Sequence, residues 1–370
     1  MMTMISWQTL LKRDSNAVES QQRKRQHKLR ADRVGTFEVL RAPGLFLALI
    51  AIFLTGCESS NAPKLGRWEG PPLLSDASVE AWSFRGEPAR RIKSAHYVIY
   101  TTITNEDVLT QLPQVLEGAL SQYRKLAPGV PVTLVPMECY IFDKRIEWEA
   151  FTKANTGADA AVYLQIRRGG YAVRDRFVSY YIGRTETSSV TAHEGFHQYV
   201  ARHFVGRLPP FVEEGFACMF EGISWHGDAL PRWNLAINQV RVQALRKAVE
   251  ANRLWPLEKL VTMHAGEVVE ENGEKVDAFY SQAWVFAKFL YEYENGRFRT
   301  QLQTWLTETA NGTVFDPTKT HRRAGGPWNR QGVKPMLEHY LGLDFATIDR
   351  LYREYVRQVA FDEYSAQWRS

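Results

Sequence analysis

Two histidines four residues apart, with a glutamate directly after the first, restrict this chain more than any other feature. Residues 187–204 read TSSVTAHEGFHQYVARHF and carry His193-Glu194-Gly195-Phe196-His197. Positions i and i+4 share one face of a helix, so both imidazoles can grip one metal ion. Glu194 stands roughly 100° further round, where it reaches a water on the metal rather than the metal itself. Two imidazoles and a carboxylate suit zinc, with a fourth position left open for water. Bound zinc lowers the pKa of that water to about 7, and Glu194 can take the proton.

The motif also arises by chance, so a third ligand has to be found. Residues 208–222 (LPPFVEEGFACMFEG) supply one. Pro209 and Pro210 suit a helix start, and Phe211, Val212, Phe216, Met219 and Phe220 give that helix an apolar side. Glu214 lies 17 residues after His197, room for one loop before a neighbouring helix. Gly215 is expected to let the second helix approach the first closely.

Charge removes one class of partner. The 370 residues carry a net +5, and residues 1–57 account for all of it, with nine Lys or Arg against four acids. The remainder is formally neutral and offers no electrostatic footprint for nucleic acid.

The basic segment has the character of a targeting signal. Gly44 to Leu54 is an apolar run of 11 residues, too short to span a bilayer comfortably. Arg41 precedes it and Leu54-Thr55-Gly56-Cys57 follows, an order of basic, apolar and small residues that marks secretion. The last four residues resemble a bacterial lipobox, which implies cleavage before Cys57 and acylation of its thiol. The protein is then expected at the cell envelope, held to a membrane by lipid. Some forty residues precede the signal, which predicts a downstream translation start, for instance at Val34 or Val39. Of the three cysteines, Cys139 and Cys218 are expected as small buried residues rather than a disulfide.

The chain divides into an extension (1–35), the signal (36–57), a Pro/Gly/Ser-rich tether (58–92), an α/β part (93–187), a zinc-binding helical part (188–310) and a helical C-terminal part (311–370). Order is expected from about Ala95. Strands are read at 96–102, 132–135, 139–142, 161–166 and 177–182 from β-branched and aromatic content. Helices are read at 105–126, with a kink at Pro113, and at 145–153. Long helical patterns follow Thr187, with loops at 223–231, 264–277 and 311–333. The sum is an α+β arrangement.

His-Glu-x-x-His followed by Glu-Gly-Phe-Ala resembles the gluzincin metallopeptidases, especially the aminopeptidase-N-like core. The resemblance covers roughly residues 160–300 and extends to a less characterised group of secreted bacterial proteins. It implies a zincin-like fold, with His193, His197 and Glu214 as zinc ligands and Glu194 as general base. The Glu before Gly is the ligand in that family, which selects Glu214 over Glu213. The family also has a tyrosine starting a helix that leads into a Gly-terminated turn. Phe279-Tyr280-Ser281-Gln282-Ala283-Trp284, running to Glu294-Asn295-Gly296, is similar to it and implies that Tyr280 stabilises the oxyanion.

One departure matters. Aminopeptidases carry a Gly-x-Met-Glu-Asn strand whose Glu holds the free amine of the substrate, and this chain has Arg168-Gly169-Gly170-Tyr171-Ala172 there. Endopeptidase action on a peptide or protein is therefore the expectation, with Gly169, Gly170 and Tyr171 as an edge that pairs with an extended peptide. The competing expectation is a catalytically silent zincin-fold lipoprotein that binds peptide or glycan. A third is hydrolysis of another amide, such as a peptidoglycan cross-link.

Cys218, at i+4 from Glu214, is expected in the core. Glu221, at i+7, either orients a ligand histidine or is a solvated helix charge. His203, His226, His264, His321 and His339 lack metal-ligand spacing. The acidic stretch 265–277 reads as a solvated loop, and the basic, aromatic stretch 322–328 is assigned no partner.

Overall fold

The computed structural model of the chain describes residues 77–173, 175–225, 231–235, 237–268, 273–317 and 330–361. The signal, Cys57, His226, His321 and the 322–328 stretch lie outside the described residues.

The fold is α+β, built on a mixed six-stranded sheet. Strands β1 (Ser78–Phe84) and β2 (Glu87–Lys93) form a hairpin closed at Arg85-Gly86, both at positive φ, the conformation a two-residue hairpin turn demands. All of this hairpin but Lys93 lies in the 58–92 stretch expected to be a tether. Ala89 and Ile92 are buried, and Trp82 and Phe84 pack against the outer apolar cluster, an alternation that the proline and glycine content around it masks.

β2 pairs antiparallel with β3 (Tyr97–Thr101), which runs parallel to β4 (Met137–Phe142). β4 runs parallel to β6 (Arg176–Tyr180), and β5 (Gly170–Val173) closes the edge antiparallel to β6. The sheet order is β1-β2-β3-β4-β6-β5.

Period-two alternation gives each face its own helices. Ile92, Ile99, Cys139, Ile141 and Phe177 belong to the main core, shared with helices α1 (Glu106–Leu126) and, further along the chain, the helix bearing His193. Asn105 caps α1 by accepting the Val108 N–H, and Pro113 lies inside the helix, which runs on to Leu126. On the other face, Phe142, Tyr171, Val178 and Tyr180 pack with Trp148 and Phe151 of α2 (Arg145–Asn155) and Tyr163 of α3 (Ala160–Tyr163).

Two expected strands are absent. Residues 132–135 have no regular structure, and α3 stands where 161–166 was read as extended. Tyr163 instead stacks on Tyr171 with ring centroids 4.2 Å apart, so tertiary packing overrides local β propensity.

The rest is helical: α4 (Arg184–His203), α5 (Pro210–Met219), α6 (Gln239–Glu250), α7 (Leu257–Leu260), α8 (Ala265–Val268), α9 (Gly273–Gly296), α10 (Arg299–Asn311), α11 (Val333–Leu341) and α12 (Phe345–Phe361). A two-strand ladder, β7 (Ile223–Ser224) with β8 (Arg232–Trp233), brackets most of the expected 223–231 loop, β7 at its start and β8 just past its end. Parts of the expected 264–277 loop are helical as α8 and the first turn of α9. The α9 backbone leaves helical geometry at Tyr293–Asn295 before Gly296 at φ +90°, in keeping with the Gly-terminated turn. One connected apolar core runs from Ile92 to Ala360. Across it, the Tyr352 hydroxyl donates to the Gln282 carbonyl at 2.9 Å. Among the described residues, no helix is long and apolar enough to cross a membrane.

Candidate metal centre

α4 and α5 carry the site. α4 packs on β5 and β6 beside α1, which lies against β3, and the Tyr123 hydroxyl of α1 donates to the Ala192 carbonyl at 2.5 Å. A Cβ at Gly195 would come within 2.9 Å of that hydroxyl oxygen, so a glycine inside the motif lets α1 and α4 close up. His193 and His197 leave α4 on the side facing α5, and Glu214 projects between them.

The donor atoms converge. His193 Nε2 lies 3.3 Å from His197 Nε2, and Glu214 Oε2 lies 3.5 Å from each. Donors about 2.0–2.2 Å from one ion in tetrahedral array stand roughly 3.3–3.6 Å from one another. The outer ring nitrogens are tied down as well. His193 Nδ1 meets Glu221 Oε1 at 2.9 Å, and His197 Nδ1 meets Glu213 Oε1 at 2.8 Å. Carboxylates there accept an Nδ1–H, which turns each Nε2 lone pair inward. Glu214 Oε2 is buried and has no hydrogen-bond donor. Two lone pairs and an unsatisfied carboxylate oxygen facing one point repel one another and are satisfied by a cation, so the donor set fits a zinc ion.

The charges of the side chains follow from their surroundings. Burial pushes the Glu214 carboxyl up, but the His197 and His193 imidazoles more than offset it and hold the carboxyl well below its ordinary range. Burial also raises Glu194 above its ordinary value, against the pull of His193 and His197. Glu194 is 9% exposed and lies against the first residue of β5, where a Cβ at Gly170 would stand 3.3 Å from its Cγ.

Glu221 is the residue that sequence reasoning left undecided, and it faces His193, a candidate ligand. The Arg241 guanidinium grips it, with Nε at 3.0 Å from Oε2 and Nη2 at 2.7 Å from Oε1, and Asn238 Nδ2 donates to Oε2 at 2.7 Å. Glu213, set aside as a ligand, takes the corresponding place beside His197. Arg241 and Asn238 were missed, because nothing local in 238–241 signals a site and only the fold brings them to α5. Cys218 is buried beside His193 and Glu221, and burial raises its thiol. His193 Nδ1 and both Glu221 oxygens already have hydrogen-bond partners, so this second cluster supports the first rather than forming a separate site. Cys139 and Cys218 are free and buried.

Tyr280 is near this centre, though not at a helix start. α9 begins at Gly273, so Tyr280 sits two turns inside it. Burial, then the charge of Glu214, raises its phenol well above its ordinary value and keeps it a donor. Tyr171 offers its backbone alone to the β5 edge: its ring is buried on the far face of the sheet, and its hydroxyl meets Thr152 Oγ1 at 3.1 Å. Alternation along β5 turns Gly170 toward α4 and Tyr171 away, so Gly170 is the β5 residue that adjoins the site. Gly169, at φ +128°, makes the turn that leads into β5.

No protein-family model, curated protein or solved structure matches this chain, so its function has to be argued from these residues.

Proposed function

We propose that the chain is a zinc-dependent peptidase of gluzincin type, cutting within peptides at the cell envelope. The observation that carries this reading is the convergence of His193 Nε2, His197 Nε2 and Glu214 Oε2 to within 3.3–3.5 Å of one another. Zinc bound there supplies a Lewis acid that polarises a carbonyl and acidifies water. A structural zinc needs neither an open position nor a base, and Glu194 beside the ligands is such a base.

The roles of the residues follow. His193, His197 and Glu214 hold the ion. Glu194 accepts the proton of the attacking water and returns it to the amine nitrogen as the C–N bond breaks. The Tyr280 hydroxyl donates a hydrogen bond to the carbonyl oxygen as negative charge develops on it. Among the described residues β5 pairs only with β6, and its other edge can align an extended substrate beside Glu194. Gly170-Tyr171-Ala172-Val173 carries no carboxylate to hold a free amino terminus, which favours cleavage within a chain. The lipobox-like LTGC ending at Cys57 supports a membrane-tethered, envelope-facing enzyme.

The test is metal content by elemental mass spectrometry. The reading expects about one zinc per wild-type chain and none in His197→Ala. Folded wild type without metal overturns it.

A further inference from the structure

The metal ligand His193 and the hydroxyl donor Tyr280 come from different helices, α4 and α9, and one side chain of α6 touches the supports of both. Arg241 lies in the first turn of α6, which Asn238 caps by accepting the Arg241 N–H at 3.2 Å. The guanidinium engages Glu221 through Nε and Nη2 at 3.0 and 2.7 Å, and Glu221 in turn holds His193 Nδ1 at 2.9 Å. Arg241 Cζ also sits 5.0 Å from the centroid of the Tyr280 ring. A planar cation can fork onto a carboxylate at its edge while covering an aromatic ring with its face, which the point charge of a lysine cannot do.

We infer that Arg241 is a positioning residue that couples the metal ligand His193, through Glu221, to the placement of the Tyr280 hydroxyl. The inference rests on the zinc-peptidase reading and deepens it. The arrangement is one-sided. Glu213 holds His197 in the same way, yet among the described residues no arginine or lysine forms an ion pair with it. Arg241 therefore sets the geometry of the His193 half of the site together with the tyrosine, and leaves the His197 half alone.

Two properties separate this role from general structural support. The effect of Arg241 on metal passes through Glu221, so it should vanish once Glu221 cannot be gripped as an anion. Its effect on Tyr280 needs the planar face, so a lysine should restore metal binding without restoring turnover.

The experiment measures zinc affinity of the full chain by competition with a chromogenic chelator, alongside peptide hydrolysis at saturating zinc. Arg241→Met should weaken zinc binding about 10-fold or more, the range seen when partners of ligand histidines are removed. Arg241→Lys should bring affinity back near wild type while kcat stays low and KM changes little. Glu221→Gln combined with Arg241→Met removes both charges and avoids an unpaired buried carboxylate. It should bind zinc no more weakly than Glu221→Gln alone. Equal affinity in wild type and Arg241→Met overturns the inference, as does full additivity in the double variant. Failure of the wild type itself to bind zinc overturns the peptidase reading first and this inference with it.

Discussion

Gly215 of α5 packs directly on the carbonyl of Ala283 in α9: a Cβ at position 215 would overlap that oxygen and reach the Ala287 methyl at 3.0 Å. The glycine after Glu214 thus serves the contact with α9, whereas the approach to α4 was its expected purpose. The contact seats α5, the helix that carries Glu214, directly on α9. Gly215→Ala must part the two helices or bend them. Overpacking of this kind costs about 1–3 kcal/mol. Thermal unfolding should show a melting point several degrees lower, and zinc should bind more weakly because Glu214 moves with α5. A variant as stable as wild type with unchanged zinc affinity would show that α9 has no part in placing the ligand.

Glu194 makes no hydrogen bond to His193, His197 or Glu214, so removing its charge should leave the metal site standing. Glu194→Gln is expected to keep zinc at the wild-type level and to lose about 10²–10⁴-fold in peptide hydrolysis, the usual share of a general base. Unchanged turnover would move the base elsewhere. Absent turnover in both proteins, with zinc present, would favour a silent binding protein.

The pairing of His193 with His197 was legible because helical geometry fixes it: i and i+4 put them on one face whatever else the chain does. Glu214 followed from the Glu-Gly-Phe-Ala resemblance. What the sequence hid depends on contacts between distant segments. Arg241 is 20 residues from Glu221, and its role appears only once α6 is docked on the end of α5. That the Tyr171 side chain faces away from the site was equally hidden, since only the two-residue period of β5 decides it. The first hairpin was lost for the opposite reason, since its turn and flanking residues have the composition of a linker.

Removing the metal should loosen the site, because Glu214 Oε2 is then buried without a donor. A ligand present at 1,000 times its dissociation constant stabilises a fold by about 4 kcal/mol. Chelation by EDTA should therefore lower the melting temperature of wild type by several degrees and leave His197→Ala unaffected. An equal drop in both would trace the effect to something other than this centre.

Tyr280→Phe separates the hydroxyl from the ring. Phenylalanine keeps the aromatic face under Arg241 and removes only the donor. Zinc content and KM should stay near wild type, while kcat falls by about 10²–10³-fold, as for loss of an oxyanion donor. A rise in KM with kcat intact would instead assign the hydroxyl to substrate binding.

Gly170 tests the edge strand and the base together. A Cβ there would lie 2.8 Å from the Val178 carbonyl oxygen, 2.9 Å from Ser179 Cβ and 3.3 Å from Glu194 Cγ. The first two contacts belong to the sheet and cannot yield easily, so in Gly170→Ala the start of β5 shifts toward α4 and Glu194 is displaced. None of the three metal ligands lies in this contact, and zinc should bind as in wild type. A displacement of about 1 Å at a reacting group can cost roughly 10²-fold in rate, so peptide hydrolysis should fall steeply while metal content does not. Because β5 is also where an extended substrate would pair, KM for long peptides should rise more than KM for dipeptide-sized ones. If both substrates lose the same factor, in kcat alone, Gly170 matters only for where Glu194 sits, and the peptide must bind along another surface.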